Sequence, residues 1–71
     1  MPKMIPQGVM ADFKKTLKQY KKDGELEKSS LVLRQQVYMR IATRFGPRFI
    51  QKNGPAVKAE LDAAIEAVKN G

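Results

Sequence analysis

The residues of this chain best equipped for chemistry are cations. Lys14, Lys15, Lys18, Lys21 and Lys22 crowd one segment, and Arg34, Arg40, Arg44 and Arg48 recur along another. An ammonium acts as a compact point charge, whereas a guanidinium offers planar paired donors that match phosphate or carboxylate. Both patterns suit holding an anion better than making or breaking a bond. The residues needed for most other chemistries are missing. With no His and no Cys, the chain lacks a thiolate nucleophile, the commonest general base near neutral pH, and the usual ligands of zinc, haem and iron–sulfur clusters. Ser29-Ser30 has no histidine to activate it. Asp62 and Glu66, four residues apart with Glu60 nearby, have the spacing of ordinary helix-surface carboxylates. Gly46 and Gly54 each precede a proline and lack the spacing of a phosphate-cradling loop. No enzymatic activity, metal or cofactor is expected.

The charge is unevenly placed. Across 71 residues, 14 Lys+Arg face 7 Asp+Glu, for a formal charge of +7. Residues 1–24 carry net +4, residues 25–53 net +4, and residues 54–71 net −1. The basicity thus belongs to the first two-thirds of the chain. Lys14, Lys15, Lys18, Lys21, Lys22, Arg40, Arg44 and Arg48 are the candidate contacts for a negative partner. Arg34 points nearer an apolar face, which suits ion pairing or snorkelling. Two partners fit. One is nucleic acid, DNA or RNA, contacted through backbone phosphates with weak sequence preference. The alternative is an acidic surface on a host protein such as a polymerase, met by a small phage-type inhibitor. A homo-oligomer is a third possibility, and a plainer one is a charged face that keeps a small protein soluble.

The elements that must position these residues are helices. Val9, Met10, Phe13, Leu17 and Tyr20 keep a 3.6-residue period, which predicts a helix over 9–22 with its lysines on the other side. Asp23-Gly24 ends it, with Gly24 suited to a left-handed cap. A second helix is predicted over 25–45, beginning at the latest at Ser29 or Ser30. Leu31, Tyr38, Ile41, Ala42 and Phe45 form its apolar face, widened by Leu33 and Val37 on one side and by Val32 and Met39 on the other. Apolar residues around so much of the circumference predict a central helix. Gly46-Pro47 stops it, and Phe49-Ile50 is expected to enter the core as a short turn. The third helix is expected to start at Pro55, the favoured first position for proline, with Val57, Leu61, Ala64, Ile65 and Val68 as its stripe.

Pro2 and Pro6 push their predecessors toward extended backbone, so residues 1–8 are expected to form an arm whose Met4 and Ile5 pack on the core or serve as partner contacts. The expected fold is all-α: a small three-helix domain over 9–71 with an extended N-terminal arm. Ala42 and Gly46 meet the spacing of a helix-turn-helix, but Pro47 follows the glycine. Gly54-Pro55 also falls where a recognition helix should be continuous, and this argues against that motif. Phe13, Tyr20, Tyr38, Phe45 and Phe49 sit at core spacing, so no aromatic platform is expected. No apolar run approaches the roughly 20 residues of a membrane span, and residues 1–6 lack the apolar segment of a secretory signal, so none is expected. With Cys absent, a reducing, cytoplasmic location is expected.

Overall fold

A computed structural model describes residues 5–71. They form three helices, α1 (Gln7–Asp23), α2 (Leu26–Phe45) and α3 (Pro47–Asn70), and no strand occurs among the described residues. The all-α expectation holds. Met4, half of the expected arm contact, lies outside the described residues.

Two glycines set the topology. Gly24 has φ 74°, ψ 19°. Its N–H donates to the Lys21 carbonyl at 3.2 Å, and the Glu25 N–H donates to the Tyr20 carbonyl at 2.9 Å. This paired pattern is a Schellman cap, and it turns α2 back along α1. Gly46 has φ 89°, ψ 169°, a region open essentially to glycine alone. Its N–H closes α2 on Ala42 at 2.9 Å, while its carbonyl accepts the Ile50 N–H at 3.3 Å and opens α3. One residue therefore ends one helix and begins the next. Contacts across α2 and α3 pair Phe45 with Phe49, Tyr38 with Gly54 and Arg34 with Asp62, so the two helices run antiparallel.

The core is Ile5, Phe13, Leu17, Val37, Ile41, Val57, Leu61, Ala64 and Val68. Phe13 and Leu17 anchor α1 from one face, as their spacing predicts. Four expectations need correction. Ile5 is 2% exposed, so of the two roles open to it the bundle core takes it, and α1 begins two residues earlier than expected, at Gln7. α2 starts at Leu26, beside the expected residue 25 and not at Ser29 or Ser30, and Ser30 is buried within it. The core side of α2 is Ser30, Val37 and Ile41, while Leu31, Val32 and Met39 are 57%, 59% and 55% exposed. That helix is therefore one of three comparable walls and not a central rod. Its apolar residues outnumber what two neighbours can cover.

The fourth correction concerns α3, which runs unbroken through Gly54 and Pro55. Glycine costs about 1 kcal/mol and proline about 3 kcal/mol inside a helix, and for that reason the sequence predicts a break. Packing overrides both costs. Gly54 is buried against Tyr38, and an added Cβ there would stand 2.8 Å from the Tyr38 hydroxyl. Pro55 sits on the exposed side with Gln51, where water can reach the carbonyl that proline leaves without a donor. At 1.5 Å per residue, 24 residues make a rod of about 36 Å, which matches the 36 Å long axis of the molecule. Continuity at Gly54-Pro55 removes one argument against a helix-turn-helix. The antiparallel pairing and single-residue connection at Gly46 replace it, since that motif joins steeply crossed helices by three or four residues. No helix among the described residues is long and apolar enough to cross a membrane.

Candidate anion-binding surface

Lys14, Lys18 and Lys22 recur every four residues and therefore share one stripe of α1. At 1.5 Å rise per residue the stripe is about 12 Å long. All three are exposed, as is Lys15 beside them. No carboxylate of the described residues pairs with any of these four. The stripe borders an open groove of about 610 Å³ between α1 and α3, lined by Lys14, Lys18, Lys21 and Lys22 and floored by Ala67, Val68 and Gly71. Ala67 and Val68 give this floor small apolar side chains, and the lysines of α1 form its rim.

Lys21 has a different task. Its Nζ donates to the carbonyls of Val68 at 2.9 Å and Lys69 at 3.3 Å. These are among the last carbonyls of α3, which have no partner within the helix, and a cation there also opposes the negative end of the dipole. Lys21 thus ties the end of α1 to the end of α3. Sequence spacing alone groups it with the other lysines, because nothing local reveals that the C-terminus of α3 lies beside it.

The arginines separate from the lysines. Arg40 lines the cleft between α1 and α2 with Asp12, Thr16 and Gln36, on the other flank of α1 from the lysine groove. Arg44 stands 5.9 Å over the Phe45 ring. Arg48 is exposed in the first turn of α3; the chain reverses at Gly46, so Arg48 does not prolong the flank of α2. Arg34 donates from Nη1 to Asp62 Oδ1 at 2.6 Å, the ion pairing anticipated for it. The eight candidate cations therefore do not form one field: Lys14, Lys15, Lys18 and Lys22 make an exposed stripe on α1, Lys21 is tied to the end of α3, Arg44 and Arg48 sit at the corner where α2 meets α3, and Arg40 lies apart in the cleft between α1 and α2.

Sequence reasoning missed one residue of that corner. Phe45, expected in the core, is 41% exposed. Its ring lies 4.8 Å from that of half-buried Phe49, tilted by 33°. The available signal was its position as the last residue of a helix, where the neighbouring chain turns away and cannot cover it. Comparison with protein-family models, curated proteins and solved structures found no match to this chain.

Proposed function

We propose that the chain binds the phosphate backbone of nucleic acid with weak sequence preference. The supporting observation is the stripe of Lys14, Lys18 and Lys22, with Lys15 beside it, exposed on one face of a helix and without an ion pair among the described residues. Its length of about 12 Å spans three to four phosphates of one duplex strand at 3.4 Å of axis each. Four ammonium groups displacing counterions should give a slope of about −3 to −4 in log K against log salt. Fluorescence anisotropy with labelled oligonucleotides over a salt series measures it. Two unrelated sequences should bind alike, and reversing charge with Lys18→Glu and Lys22→Glu together should abolish binding at physiological salt. Affinity that ignores salt, or no binding at low salt, ends this reading.

A second reading, a protein-binding regulator, is supported by the outer face of α2. Leu31, Val32 and Met39 stand exposed there beside uncharged Gln35 and Thr43, an apolar surface for which a phosphate binder has no use. Truncating residues 1–8 would not discriminate between the readings, because it removes core residue Ile5. Val32→Lys with Met39→Lys does: it should leave oligonucleotide affinity intact or strengthen it, while destroying a protein contact.

A further inference from the structure

The dipeptide Arg-Phe occurs twice, four residues apart, as Arg44-Phe45 and Arg48-Phe49. The reversal at Gly46 places the first copy at the end of α2 and the second in the opening turn of α3. The two rings then meet at 4.8 Å, and Arg44, Arg48 and Lys52 remain exposed around them. Phe49 packs against the core and fixes the floor of the corner, while Phe45 is left 41% exposed on top of it. Burying a phenylalanine stabilises a fold, and this site forgoes part of that gain. The Arg44 guanidinium covers the ring only loosely, 5.9 Å from its centroid, near the outer limit of cation–π attraction.

We propose that this corner stacks one unpaired nucleobase, so that the nucleic acid the chain prefers is single-stranded. The proposal rests on the backbone-binding reading and adds the state of the strand. A base is flat, π-rich and joined to phosphate, and the corner offers the complement of each feature. The Phe45 ring presents a face, Arg44 shifts aside to form a second layer over the base, and Arg48 and Lys52 hold the adjoining phosphates. Paired bases in a duplex are already stacked on their neighbours and present only edges, so Phe45 adds nothing to duplex affinity. Proteins that hold single strands combine cations along the backbone with rings against the bases in this way.

The test uses the intact chain and three DNA probes of about 15 nucleotides: a single strand, the same strand carrying abasic sugars throughout, and a duplex. The wild type should prefer the single strand to both others. Phe45→Ala should weaken single-strand binding about five- to hundredfold and leave duplex affinity and the salt slope unchanged. Circular dichroism checks that the variant is folded. The chain contains no tryptophan, so Phe45→Trp installs a single reporter at the stacking position. Its fluorescence should be quenched by the single strand and not by the abasic strand, with affinity retained. Single-strand binding that survives Phe45→Ala at full strength, or leaves the Phe45→Trp signal unquenched, overturns the stacking site while the lysine-stripe reading stands. Binding to none of the three probes at low salt overturns both.

Discussion

At the scale of single residues, chemically identical side chains are set apart by what lies beside them. Lys18 and Lys21 are three positions apart on the same helix, yet Lys18 faces solvent while Lys21 caps the end of α3. Their substitution should therefore split two measurements. Lys21→Gln should lower stability by about 0.3–1 kcal/mol, the worth of a cation at a helix C-terminus. For a chain of this size that is a fall of a few degrees in Tm, with the salt slope of oligonucleotide binding unchanged. Lys18→Gln should do the converse, reducing the slope by about one phosphate and leaving Tm nearly unmoved. Calorimetry and anisotropy on the two variants check both halves. The same contrast shows how far the candidate site was legible. The identity and sign of the cations are plain from residue type. Their division into a binding stripe, a structural tie and an arginine corner depends on residues some 47 positions away along the chain.

At the scale of elements, α3 shows where local rules yield. The Gly54-Pro55 pair carries a strong local signal to stop a helix, and packing of Val57, Leu61, Ala64 and Val68 carries the helix through it. The contact between Gly54 and Tyr38 makes a sharp prediction. Replacing glycine with alanine inside a helix gains about 1 kcal/mol, but here the new Cβ would stand 2.8 Å from the Tyr38 hydroxyl, which has to move. Removing that oxygen with Tyr38→Phe makes room. Gly54→Ala should thus stabilise the chain by about 1 kcal/mol more in the Tyr38→Phe background than in the wild type, a coupling that a double-mutant cycle by urea denaturation measures. Equal effects in both backgrounds would mean that Tyr38 does not restrict position 54. The elements themselves were legible where the 3.6-residue period was clean, as in Phe13 and Leu17 of α1 or Val57, Leu61 and Val68 of α3. In α2 apolar residues are spread around the helix, and spacing alone could not say which of them a three-helix bundle would leave in water.

At the scale of the whole molecule, the formal charge of +7 is spread over a chain with a Cα radius of gyration of 12.0 Å. Like charges so confined oppose the compact state, and among the described residues Arg34 is held in an ion pair with Asp62 while the lysine stripe of α1 is not. Raising ionic strength from about 0.01 M to 0.15 M shortens the Debye length from roughly 30 Å to 8 Å, from a distance comparable with the 36 Å long axis of the molecule to one well within it. Tm should therefore rise by several degrees over that interval, as scanning calorimetry in sodium chloride would show. A Tm that falls with added salt would mean that attractive pairs dominate the surface. The same increment of salt should weaken oligonucleotide binding. Folding and binding thus respond to one variable in opposite directions, because the charges that repel one another in the free chain are those a polyanion would neutralise.

The amino-acid order alone determined the class of this molecule: helices, from apolar periodicity broken by glycine at 24 and 46, and a positive exterior, from the excess of Lys and Arg. Both properties are additive and local, so counting and spacing reach them. The tertiary structure decided which residues those properties serve. It buried Ile5, carried α3 across Pro55, assigned Lys21 to a helix end, left Leu31, Val32 and Met39 in water, and brought two Arg-Phe pairs to one corner. Each of these outcomes is a competition between a local preference of about 1–3 kcal/mol and the burial of apolar surface at about 25 cal/mol per Å². That balance is struck only when distant segments of the chain come into contact.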